Sequence, residues 1–254
     1  MSGMRAEAVG GNGMLRPDAP CPYGLCDGSG FVDDEVSRTV APCRCRPQRI
    51  AQRRTASLSA VIPRKYRGAG FDRPPVPEIA ARCGPQVGKV RAFVRGIDGH
   101  LDAGRGLWFV GGPGTGKTTL AMIVAKAALD AGRTVAIYSL PRLLAEIRTT
   151  FDDDTETSYT RLLDRLTEVD LLHVDDVGAQ MTTPWVLEQL YAIVNARYEE
   201  QRSIVLTTNI ELPDELAEQI TPRTVSRLKE MCEVLPIFGT DARSALGATE
   251  ERIA

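Results

Sequence analysis

The stretch GLWFVGGPGTGKTTL, residues 106–120, restricts what this chain can fold into more than any other. It holds the full G-x-x-x-x-G-K-[ST] pattern at Gly111–Thr118, preceded by the apolar run Leu107–Val110 and followed by a helix-forming run. The chemistry explains the spacing. Glycines let backbone N–H groups close around phosphate, and the N-terminus of the following helix adds its partial positive charge. Lys117 is placed to reach the β- and γ-phosphates, and Thr118 to ligate Mg²⁺. Gly111, Gly112, Pro113, Gly114, Thr115, Gly116, Lys117, Thr118 and Thr119 are therefore the expected nucleotide-binding residues. A chance glycine-rich turn would lack the strand before it and the helix after it.

The chain around this loop alternates between strand and helix patterns, which points to a parallel sheet with helical crossovers. Strands are expected at Leu107–Val110, Thr134–Ser139, Leu171–Asp175, Ser203–Thr208 and Glu233–Phe238. Leu140, Leu143, Leu144 and Ile147 recur at helical spacing after Ser139. Thr183-Pro184 and Thr221-Pro222 each read as an N-cap with proline at the first helical position, opening helices to about Glu200 and about Met231.

Three further stretches carry polar groups suited to phosphate chemistry. In VDLLHVDDVG, Asp175 and Asp176 fall at the carboxyl end of an apolar strand, the edge where open α/β sheets bind ligands. Beside a P-loop, Asp175 suits an outer ligand of Mg²⁺ and Asp176 a base orienting the attacking water. Alone, such a pair equally suits a turn. SIVLTTNI ends in Thr207, Thr208 and Asn209; Asn209 suits a contact to the γ-phosphate or the water, a capping role being the alternative. TPRTVSRL puts Arg223 and Arg227 four apart on one helical face, and Arg243 follows the last strand.

A second constellation lies near the N-terminus. Cys21 and Cys26 (C-x4-C) and Cys43 and Cys45 (C-x-C) flank a sixteen-residue gap. No apolar run is long enough to span a bilayer, and MSGMRAEAVGGNGM lacks the apolar region of a secretory signal, so a cytoplasmic location is expected. Disulfides are rare there, so clustered cysteines favour metal. Four-thiolate zinc is the reading, with iron–sulfur as its rival. Cys83 and Cys232 lie far off in sequence and read as packing residues. Net charge is -2, yet residues 44–73 hold nine basic side chains against Asp72 alone. Such a segment suits nucleic acid or an acidic protein surface, or forms a solvated face.

Taken in order, the P-loop, LLHVDDVG, TTN and TPRTVSRL resemble the AAA+ ATPases of the DnaC/DnaI helicase-loader and IstB transposition-helper group. The likeness covers about residues 60–245. DDVGAQMTTPWVLEQLYAIVNARYE is its most telling stretch, and IPRKYRGAGFDRPP resembles the lead-in these proteins carry. It implies an α/β P-loop AAA+ core with a parallel five-stranded sheet in the order 5-1-4-3-2. With sixteen residues after Phe238, no full helical lid is expected. By the same likeness Asn209 is the sensor-1 residue, Arg227 the arginine finger with Arg223 as its rival, and Arg243 the sensor-2 arginine. Many AAA+ proteins have Glu where Asp176 stands.

The expected organisation is a disordered N-terminus at 1–20, a four-cysteine zinc module with a basic helix at 21–60, a Pro/Gly linker at 61–86 and the ATPase domain at 87–254. The implied activity is ATP hydrolysis with Mg²⁺, in a loader that puts a replicative DNA helicase onto single-stranded DNA and forms ATP-promoted oligomers. Arg142, Arg148 and Phe151, after the second strand, are the candidate DNA contacts. A transposition helper on duplex DNA and an ATP-gated adaptor with little turnover are the alternatives. The cysteine module favours the loader, because loaders of the DnaI kind carry an N-terminal zinc-binding domain.

Overall fold

The structure, a computed structural model, describes residues 21–34, 39–46, 62–152, 156–178, 183–210 and 218–239. The expected disorder of 1–20, the basic helix with Arg49, Arg53 and Arg54, and the sensor-2 candidate Arg243 lie outside them.

The cysteine segment contains a hairpin. β1 (Phe31–Asp34) pairs antiparallel with β2 (Thr39–Pro42), in a register that sets Phe31 opposite Pro42. The hairpin occupies the gap between the two cysteine pairs and so brings them together.

The larger body is a five-stranded parallel sheet with helices on both faces. In chain order, after the hairpin, come α1 (Val76–Arg82), α2 (Gly84–Arg95), α3 (Ile97–Asp102), β3 (Gly106–Val110) and α4 (Lys117–Asp130). There follow β4 (Val135–Ser139), α5 (Leu140–Asp152), α6 (Glu156–Glu168), β5 (Leu171–Val177), α7 (Pro184–Glu199), β6 (Ser203–Thr208), α8 (Pro222–Met231) and β7 (Cys232–Pro236). The strands lie side by side as β4-β5-β6-β3-β7. Counted within the sheet this is the order 5-1-4-3-2, with the TTN strand β6 between the strands of the P-loop and of the paired aspartates.

Burial on both faces explains why these strands are continuous apolar runs. Every residue of β3 is buried. Its side chains alternate, Trp108 and Val110 packing with α5–α8 while Leu107 and Phe109 pack with α1–α4. Thr183 and Thr221 do cap their helices, accepting from the N–H groups of Val186 and Thr224. Among the described residues no helix is long and apolar enough to cross a membrane.

Two expectations need correction. The stretch read as a linker carries a 3-10 turn at Arg64–Tyr66 and the helix α1. Val76, Ile79 and Cys83 of that helix and its cap are buried in the core cluster that holds Phe109 and Leu120. Their spacing of three and four residues is one helical stripe, too short to stand out from the prolines around it. The strand expected to stop at Asp175 runs on to Val177. Its pairing with β6 shifts register between Val174 and Val177, which marks a bulge at the two aspartates.

A buried arginine secures the other end of the sheet. Arg197 of α7 is fully buried. Its guanidinium donates to the carbonyls of Leu166, Thr167, Asp170 and Ser203, and to that of Val169 at 2.9 Å. The first two are among the carbonyls that the end of α6 leaves without helical partners, where a cation is also favoured by the helix dipole. Burial and the nearby Arg202 push the group down to about 9, which leaves it charged at neutral pH. Arg197→Met should therefore lower the unfolding free energy by about 3 kcal/mol, as measured by urea titration. Arg197→Lys should recover little, since one ammonium cannot serve so many carbonyls.

Candidate nucleotide and metal sites

The P-loop closes over the N-terminus of α4. Gly116, the cap residue, has φ 102°, in the left-handed region where glycine carries no penalty. A Cβ there would also run into Ile79 Cδ1, so α1 sits directly against the loop. The Lys117 ammonium is buried and folds back to donate to the carbonyls of Gly111 at 2.8 Å and Gly112 at 2.6 Å. Thr115 braces the loop by donating to the Gly112 carbonyl at 3.0 Å. A cation held by carbonyls at the mouth of a helix N-terminus is a ready site for phosphate oxygens.

The parallel register aligns the carboxyl ends of four strands at this loop. Val110 is level with Thr208, and Ser139 with Asp175. Asp175 Oδ1 accepts from the Thr118 hydroxyl at 3.0 Å and from the Thr207 hydroxyl at 2.6 Å. Burial would raise this carboxyl, but His173 and the two hydroxyls outweigh it and hold the group below its ordinary value. It is thus a carboxylate at neutral pH, next to a threonine hydroxyl. These are hard oxygen donors of the kind Mg²⁺ takes.

Asp176 is the bulged residue, with φ 63°. That left-handed conformation is uncommon outside glycine, though Asp tolerates it better than most, and it is found at functional sites. Its N–H donates to Thr207 Oγ1 at 2.9 Å, and its Oδ1 accepts from Asn209 Nδ2 at 2.6 Å. The bulge therefore turns one aspartate to Thr118 and the next to Asn209. Thr207 serves both, a role the sequence reading did not assign. The signal was there: Thr207 and Asn209 are two apart at the end of one strand and so share a face.

The arginines stand apart from this cluster. Arg227 lies over the Tyr198 ring, 4.4 Å from its centroid, and the Tyr198 hydroxyl donates to Glu230 at 2.7 Å. Arg223 is exposed on the first turn of α8. Of the candidate DNA contacts, Arg142 is exposed, Arg148 lies 4.9 Å from the Trp185 ring centroid, and the Phe151 side chain falls outside the described residues.

The four N-terminal cysteines converge. Their Sγ atoms all lie within 4.8 Å of one another, with Cys21 to Cys43 at 3.7 Å and Cys26 to Cys45 at 3.5 Å. Tetrahedral zinc at ~2.3 Å from each sulfur needs neighbouring sulfurs about 3.8 Å apart, so the donor set fits. The Gly24 N–H donates to the Cys21 carbonyl and the Arg46 N–H to the Cys43 carbonyl, making two similar turns. Burial works against ionising Cys21, but backbone N–H groups of Leu25, Tyr23 and Cys26 bring its thiol down to about 6. At Cys43 the Cys45 N–H favours the thiolate, yet burial and the thiols of Cys45, Cys26 and Cys21 push it up to about 12. Four crowded sulfurs ionise together only around a cation. Cys83 and Cys232, by contrast, are separately buried in the core.

Residues 96–245 match the family model described as IstB-like ATP binding protein. The replicative helicase loader DnaC of Escherichia coli (strain K12) is 28% identical over 156 residues, which make up 61% of this chain and 62% of that protein. The alignment thus spans less than two thirds of that relative. The crystal structure of the DnaC helicase loader superposes with a TM-score of 0.59 at 28% identity, covering 69% of this chain and 100% of that one. The crystal structure of DnaI, 20% identical, has a TM-score of 0.55 over 74% of this chain and 98% of that one, and speaks for the fold. The matched span takes in more than half of the chain, with the phosphate loop, both aspartates and Asn209 inside it, and the chain belongs to the IstB-like ATP binding protein family.

Proposed function

We propose that this protein is an ATPase that loads a replicative DNA helicase onto single-stranded DNA. The observation that carries the ATPase reading is the pair of contacts at the bulge, Thr118 and Thr207 to Asp175 and Asn209 to Asp176. Together they join the phosphate loop to the groups that handle metal and water. Likeness to DnaC supports the helicase as partner, and the four-cysteine module supports a loader over a transposition helper.

Each residue has a separable task. Lys117 exchanges the Gly111 and Gly112 carbonyls for phosphate oxygens. Thr118 and Asp175 would hold Mg²⁺, which would supply charge neutralisation at the transferred phosphate. Asp176, fixed by Asn209, orients the attacking water and receives its proton. Arg227, lifted from Tyr198, completes the site of a neighbouring subunit, so ATP promotes oligomers. Arg142 and Arg148 hold the strand by its phosphates, a sequence-tolerant mode.

The cysteines would hold zinc, which fixes the hairpin and the two turns. The module is too small to fold on its own core. It leaves Tyr23, Leu25, Phe31 and Val40 exposed, and Arg46 lies 3.9 Å from the Phe31 ring centroid. Apolar side chains rimmed by arginine suit a protein surface, and the helicase is the occupant in this reading.

Lys117→Ala should abolish binding of a fluorescent ATP analogue, whereas Asp175→Ala and Asp176→Ala should bind it and lose at least 100-fold in phosphate release (on the order of the loss for a removed charge-stabilising group). Parental turnover in Lys117→Ala would overturn the site. Parental loading by Asp176→Ala would favour the adaptor reading instead.

Mixing Arg227→Ala with Asp175→Ala subunits should restore part of the ATPase activity at hybrid interfaces. No rescue between variants that sediment together would count against a shared site.

Cys43→Ser in the full chain should lose the bound zinc, measured by atomic absorption, and lose helicase capture while keeping ATP hydrolysis. Undiminished capture by that zinc-free variant would remove the docking role.

A further inference from the structure

Strand β5 is buried on both sides, a setting that takes aliphatic side chains at nearly every position. Position 173 holds a histidine instead. Its ring is fully buried, 0% exposed. It is level with Ile137 on β4 and Val205 on β6, on the sheet face that Leu171 shares with the P-loop helix α4. Neither ring nitrogen has a hydrogen-bond partner. A sealed polar group without a partner is unfavourable, and in a native fold it calls for a reason.

The reason lies two residues along the same face. His173 Nε2 is 3.8 Å from Asp175 Oδ1, just beyond hydrogen-bond length. That oxygen accepts from Thr207 and Thr118. Thr118 is also the hydroxyl assigned above to Mg²⁺, a reading on which this inference rests. A hydroxyl that gives a lone pair to a cation still has its hydrogen to donate, so Thr118 can serve Mg²⁺ and Asp175 together. The buried imidazole, 3.8 Å from the same oxygen, is a third donor one small shift away from it. We propose that His173 is a positioning residue for Asp175, its Nε2–H holding the carboxylate in the orientation that receives Mg²⁺. Buried partners of metal-binding carboxylates set metal affinity in this way.

The test is a Mg²⁺ titration of fluorescent ATP-analogue binding to the full chain, with a thermal melt alongside. His173→Val should raise the half-maximal Mg²⁺ concentration about tenfold while keeping full binding at saturating Mg²⁺. Its thermal midpoint should stay level or rise, since an unpartnered ring is replaced by a strand-forming aliphatic side chain. His173→Ile carries the same expectation, so the result does not hang on one variant folding. His173→Gln, which keeps an N–H near the Nε2 position, should recover most of the Mg²⁺ affinity. A histidine that merely fills the core gives the opposite pattern, a lowered midpoint with unmoved Mg²⁺ dependence in both aliphatic variants, and that overturns the proposal. Unmoved Mg²⁺ dependence in Asp175→Ala would instead overturn the magnesium assignment, and this inference with it.

Discussion

A single carboxylate oxygen, Asp175 Oδ1, receives hydroxyls from two other elements, one helix and one strand. Thr118 reaches it from the first turn of α4 and Thr207 from the end of β6. The phosphate loop, the acidic strand and the TTN strand are joined at that atom. The tie is strong for its size because it is largely buried and charged, and hydrogen bonds to a carboxylate are roughly twice as strong as neutral ones. The local backbone is bent to permit it. A bulge with Asp176 at positive φ lets adjacent residues serve two different partners, which a regular strand would point to opposite faces.

The remainder of the fold holds that junction in place from two ends. At the carboxyl edge, α1 presses Ile79 against Gly116 and is clasped to the chain leaving β7. The Phe238 N–H donates to Cys83 Sγ at 3.3 Å, and Arg82 Nε donates to the Phe238 carbonyl at 3.4 Å. At the amino edge, Arg197 gathers carbonyls from the end of α6, the turn into β5 and the start of β6. The two strands that meet at Asp175 and Thr207 are thus pinned at their far ends by one guanidinium. A shift of either would be felt at the site, because close-packed interiors transmit displacement rather than absorb it.

The cysteine hairpin is held together differently. Among the described residues it has no comparable apolar cluster, and the cysteines are joined there by Val32 packed against them. Its geometry comes from tight turns and four sulfurs, and its larger apolar side chains face outward. The sheet body is therefore built by burial, and the described residues of the hairpin gather around four sulfurs.

Much of this was legible in the amino-acid sequence because it depends on local physics. The P-loop, the five strands, the proline-opened helices and each of the two cysteine pairs follow from spacing within a few residues. Asp175, Asp176 and Asn209 could be named from their places at strand ends, and family resemblance supplied the strand order. Tertiary structure alone decided how these residues pair. Which hydroxyl meets Asp175 depends on the register between β5 and β6 and on the bulge, which no local pattern encodes. The same holds for Thr207, a threonine in an ordinary strand until another strand lies beside it. α1 passed for linker because its three apolar positions acquire meaning only against Phe109 and the P-loop. Neither Arg197 nor His173 is singled out by the sequence. Burial turns the first into a clamp and leaves the second without a hydrogen-bond partner, because the cost of a polar group depends on what surrounds it rather than on its neighbours in the chain.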